Sequence, residues 1–93
     1  MEDCLITFNS TTAALRANEA LTKSGFDTEV KPIPFELSDT CYGLGVSVSK
    51  LEKNEAESMK EKLRQEGIDI KRIWRDSMGG YVLSWEGTKQ GEE

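Results

Sequence analysis

Cys4 to Phe8 is a short, mostly apolar, β-prone run that puts Cys4, Ile6 and Phe8 on one side and Leu5 and Thr7 on the other, and it predicts a first strand. Asn9, Ser10 and Thr11 then offer three candidate N-caps, and Ala13, Ala14, Ala17, Ala20, Leu21 and Ser24 recur at helical spacing until Gly25. Phe26, Thr28, Val30 and Pro32 alternate with charged residues and predict a second strand that ends in Pro32-Ile33-Pro34, where prolines supply no amide donor. Phe35 to Thr40 reads as a loop. Tyr42 to Val48 alternates large apolar residues with Gly and Ser and predicts a third strand with one thin face. A second helix is expected to start at Ser49 with Glu52 or at Asn54 with Glu57. It would bury Ala56, Met59 and Leu63 and stop at Gly67. Ile68, Ile70, Ile73 and Trp74 mark a fourth strand, and Tyr81 to Trp85 a fifth that returns as a hairpin.

Two right-handed βαβ crossovers sharing one sheet predict an α+β fold, the ferredoxin-like sandwich, with strand order four, one, three, two and the extra strand added at the end. One domain is expected over residues 1–86, followed by a disordered tail, 87–93, too polar to pack. In this topology the start of the third strand, at Cys41, lies beside the N-terminus of the first helix, around Ser10 to Thr12. Cys4 sits at the other end of the first strand, roughly 13–17 Å away by strand rise and beyond disulfide reach.

Composition narrows the chemistry. The 93 residues are 37% hydrophobic and 31% charged, enough for one small core. No apolar run is long enough to span a bilayer and no secretory leader opens the sequence, so a cytoplasmic protein with reduced thiols is expected. Seventeen acidic against twelve basic residues give a net charge of −5, which disfavours nucleic acid as a partner. Histidine is absent, which removes Ser-His-Asp and Cys-His nucleophile schemes and imidazole metal ligands.

Cysteine chemistry remains. Amide donors and the positive dipole end of the first helix would favour a thiolate at Cys41, whereas Glu36 and Asp39 on the same loop would oppose it. Cys4, on the face of Ile6 and Phe8, reads as core packing. A metal site from Cys41, Glu36 and Asp39 lacks the usual ligand pattern. Gly43-Leu44-Gly45 opens a strand and lacks a third glycine, so a dinucleotide site fails. No cofactor is expected. Lys71, Arg72 and Arg75 form a small basic run near Trp74.

The stretch Leu5 to Leu15, then Gly25, then Pro32-Ile33-Pro34-Phe35-Glu36-Leu37-Ser38-Asp39-Thr40-Cys41 resembles the selenium/sulfur carrier family, small bacterial and archaeal domains, many from anaerobes. The likeness runs from about Leu5 to Ile73, and its specific part is the Pro-x-Pro segment followed by Ser and Cys. The resemblance implies a carrier rather than a turnover enzyme: Cys41 would hold sulfur or selenium as a persulfide or selenenylsulfide and pass it between a donor and an acceptor protein. Ser10, Thr11 and Thr12 at the helix start, with Pro34, Tyr42 and Gly43 around the cysteine, would line the site. The chain departs from the family at Phe35, where arginine is usual, and at Tyr42, where glycine is usual.

Two other readings compete. In one, the domain is a non-catalytic binding or dimerisation module with a structural Cys41, and Trp74 and Trp85 in the terminal hairpin bury the helix-free sheet face against a second copy or another protein. In the other, Cys41 is a redox-sensing thiol that needs a resolving thiol from another chain.

Overall fold

The computed structural model of the protein describes residues 2–34, 43–77 and 80–86. Its elements run β1 (Glu2–Phe8), α1 (Thr11–Lys23), β2 (Asp27–Pro32), β3 (Leu44–Leu51), α2 (Lys53–Gln65), β4 (Ile70–Ser77) and β5 (Gly80–Glu86). The five strands form one antiparallel sheet in the order β2-β3-β1-β4-β5. This is the expected α+β, ferredoxin-like arrangement, with β5 extending the sheet beyond β4.

Direct cross-strand partners share a face of the sheet. Ile6 faces Val46 on β3 and Ile73 on β4, and Cys4 faces Val48. These side chains form the core with Ala14, Ala17 and Leu21 of α1 and Met59 and Leu63 of α2. Ile6, Leu21, Val46, Val48, Met59 and Leu63 are completely buried. Both helices therefore lie on the face that carries Ile6.

The helix ends follow from short-range chemistry. Ser10 is the N-cap of α1; its hydroxyl accepts from the Ala13 amide at 3.0 Å. Helix α2 starts from neither Ser49 nor Asn54: β3 continues through Leu51, and Glu52 becomes the N-cap. The Glu52 amide donates to the Glu55 side chain at 3.0 Å and the Glu55 amide to the Glu52 carbonyl at 3.0 Å. Both helices end alike. Gly25 (φ +97°) and Gly67 (φ +76°) take the left-handed conformation that an L side chain resists. The next amides, of Phe26 and Ile68, reach back to the Leu21 and Leu63 carbonyls at 3.0 and 2.9 Å.

Candidate functional site

Cys41 and Tyr42 lie outside the described residues, as do Phe35, Glu36 and Asp39; the frame on either side of them is described. Pairing of β2 with β3 runs from Asp27↔Ser49 to Pro32↔Leu44. It continues one step further, because the Ile33 amide donates to the Gly43 carbonyl at 3.1 Å. The segment bearing Cys41 thus joins two chain ends already tied to each other, and Pro34 and Gly43, both half-buried, are its last described neighbours.

On its other side β3 pairs with β1, and the last matched residues are Thr7 and Gly45. Carrying that register two residues onward brings Gly43 level with Asn9, one residue before the N-cap of α1. The start of β3 and the start of α1 therefore occupy the same end of the sheet. Ser10, Thr11 and Thr12 are all exposed there. The Ser10 hydroxyl is engaged by the Ala13 amide, and the Ala14 amide begins the helical ladder on the Ser10 carbonyl at 3.2 Å. The Thr11 and Thr12 amides precede that ladder, where a helix has no acceptor of its own to offer them. No acidic side chain lies in the first turn of this 13-residue helix, so its positive end is not offset from within. Such an end favours an anion.

The face of the sheet away from the helices is not bare. Leu5 and Thr7 point to it, and both are buried, at 2% and 4% exposure. Ile33 packs over Gly43 and Gly45, which explains the thin face of β3: the glycines make room for a side chain of the protein's own β2 extension. Trp74 pairs with Leu5 and is half-buried, and its indole Nε1 is enclosed without a hydrogen-bond partner among the described residues. The Thr7 hydroxyl donates to the Arg72 carbonyl at 3.4 Å.

Two groupings expected from the sequence are divided by the structure. Trp74 and Trp85 do not share a face. A register irregularity between Ile73 and Trp74 pairs Trp74 with Leu83 but Ile73 with Trp85, so Trp85 turns to the helix side, where Lys60 Nζ of α2 lies 5.1 Å from its ring centroid. The basic run divides in the same way: Arg72 pairs with Thr7 and binds Glu86 at 3.0 Å, whereas Arg75 pairs with Cys4 on the opposite face. Cys4 itself is 6% exposed within the core, as its pattern predicted.

A depression of about 140 Å³ between the two helices was not legible in the sequence, because its residues are far apart in the chain. Arg16, Glu19, Lys23, Lys62 and Glu66 line it; Lys23 pairs with Glu19 at 3.5 Å and Lys62 with Glu66 at 3.6 Å, and the Arg16 guanidinium donates to the Glu66 carbonyl at 3.2 Å. Among the described residues no helix is long and apolar enough to cross a membrane.

Comparison with known proteins gives one family. No curated protein and no solved structure matches the chain. A family model described as Putative Se/S carrier protein-like matches residues 3–75, from β1 to β4, and so takes in both helices and the segment that carries Cys41. The chain belongs to the Putative Se/S carrier protein-like family.

Proposed function

We propose that the protein carries sulfane sulfur or selenium on Cys41 and hands it to an acceptor protein. The observation that carries this reading is the family match, which spans Cys41. In the loading step the Cys41 thiolate attacks the terminal sulfur of a donor persulfide. The sulfur–sulfur bond in the donor breaks, the donor leaves as a thiolate, and a Cys41 persulfide forms. In the delivery step an acceptor thiolate attacks that terminal sulfur and Cys41 is returned as a thiolate. Neither step needs an external oxidant or reductant. A selenium atom in the terminal position follows the same course.

Supporting this reading, Cys41 is two residues from Gly43, and the Gly43 carbonyl is bonded to the neighbouring strand. Gly43 itself lies at the end of the sheet where α1 begins. Thr11 and Thr12 would supply amide donors to a thiolate or persulfide anion, Ser10 would hold the helix start in place, and Pro34 and Tyr42 would flank the sulfur. The helix dipole then replaces the cation that the family commonly has at the position of Phe35.

The test is sulfur uptake from a cysteine desulfurase charged with cysteine, read by intact-protein mass. Wild type and Cys4→Ala should each gain one sulfur that a small thiol reductant removes. Equal uptake by Cys41→Ala would show the proposal to be wrong.

A further inference from the structure

The two edges of the sheet are built differently. The β2 edge carries Asp27, Glu29 and Lys31, all exposed, and ends at Pro32, which has no amide to offer. Charges and proline at these positions are the usual protection of an edge strand against pairing. The β5 edge has neither. From Gly80 to Trp85 it holds no charged residue, and Val82, Leu83 and Trp85 are 45%, 43% and 36% exposed. Its only charge, Glu86, is engaged by Arg72 at 3.0 Å. An outer row of backbone donors and acceptors, flanked by apolar side chains on both faces, is matched by another extended strand and not by a helix or a compact small molecule.

We infer that β5 pairs antiparallel with the β5 of a second copy, joining two five-stranded sheets into one. At a net charge of −5 two copies repel each other overall, and the uncharged run from Gly80 to Trp85 brings no like charges together. With the two-fold axis at Leu83, the Glu86 end of each copy's β5 lies along the Gly80 end of the other, a stretch that carries no charge. No acid faces an acid. Pairing of β5 with the β2 of another copy, which would grow open filaments, is blocked by the charges and proline of β2, so association closes at two. The contact uses neither Cys41 nor the start of α1, and therefore stands independently of the carrier reading.

Sedimentation equilibrium of the full chain tests this. Wild type should sediment as a dimer. Leu83→Lys and Leu83→Glu, each placing a charge opposite its own copy, should weaken association by about a hundredfold or more. Mixing the two variants in equal amounts should restore the dimer, because lysine then faces glutamate. In wild type, hydrogen exchange at β5 amides should speed up on dilution while β1 amides are unchanged, a readout that needs no variant to fold. A monomeric wild type, variants that remain dimeric, or β5 exchange that ignores concentration would each overturn the inference.

Discussion

Gly45 lies so close to Ile6 that a Cβ on it would stand 2.8 Å from the Ile6 carbonyl oxygen, and 3.1 Å from Leu5 Cδ1. The first of these is backbone in the central strand and cannot turn aside. Gly45→Ala is therefore expected to destabilise by roughly 1–3 kcal/mol, the usual range for overpacking, despite the entropic gain of replacing a strand glycine. At Gly43 the nearest atom is Ile33 Cδ1 at 3.2 Å, the tip of a side chain that can rotate. Gly43→Ala should cost clearly less. Urea unfolding of the two variants side by side measures the difference, and an equal cost would contradict the distinction between backbone and side-chain contact.

Ser10 separates stability from chemistry. Ser10→Ala removes the acceptor for the Ala13 amide and should cost about 1 kcal/mol. Ser10→Asp keeps the acceptor and adds a negative charge to a first turn that has none, so stability should be held or slightly raised. If Cys41 works at this helix end, the same carboxylate should slow its alkylation near neutral pH. Thermal melts read the first effect, and peptide mass spectrometry after timed alkylation reads the second. A Ser10→Asp protein whose Cys41 reacts as fast as wild type would detach the cysteine from the helix start.

Two leucines on different helices should respond very differently to the same truncation. Leu63 of α2 is fully buried beneath the sheet, and Leu63→Ala should cost about 2–5 kcal/mol through lost burial and the cavity left behind. Leu15 of α1 is 51% exposed, and Leu15→Ala should change stability by no more than about 0.5 kcal/mol. Denaturant midpoints are sufficient to check both. A large effect at Leu15 would mean that it is covered in solution.

Trp74 offers a subtler test. Its Nε1 is buried with no hydrogen-bond partner among the described residues, and a buried unpaired donor costs roughly 1–3 kcal/mol. Trp74→Phe removes that donor and also some of the partly buried ring area, two effects of opposite sign. The net change should lie within about 1 kcal/mol of zero. A larger loss would show that Nε1 is satisfied in solution.

Local periodicity was enough to read the sheet and both helices. The alternation at Cys4, Ile6 and Phe8 marks the core face of β1, and the Ala and Leu spacing after Ser10 marks α1. What escaped depends on local departures from regularity. The start of α2 was misplaced because β3 runs on through Lys50, a lysine in the left-handed region (φ +58°) whose amide donates to Asp3 Oδ1 at 3.0 Å. Nothing in a lysine announces that conformation. Trp74 and Trp85 were grouped because both lie in the terminal hairpin, whereas the irregularity in β4–β5 pairing puts them on opposite faces. At the candidate site, Ser10 was among three possible caps and only the fold selects it. The packing of Ile33 over Gly43 and Gly45 was not legible either, since it depends on the strand register of a segment that ends in prolines.

The position of β1 bears on how the chain folds. It lies between β3 and β4, and one of its hydrogen bonds, from Thr7 to Arg72, joins residues 65 apart in sequence. The strand of this sheet that comes earliest in the sequence must therefore wait for β3 and β4 before both its edges are covered. Closure of so long a loop slows folding compared with a helical protein of this size, and the waiting strand is where a nascent chain is most exposed to mispairing.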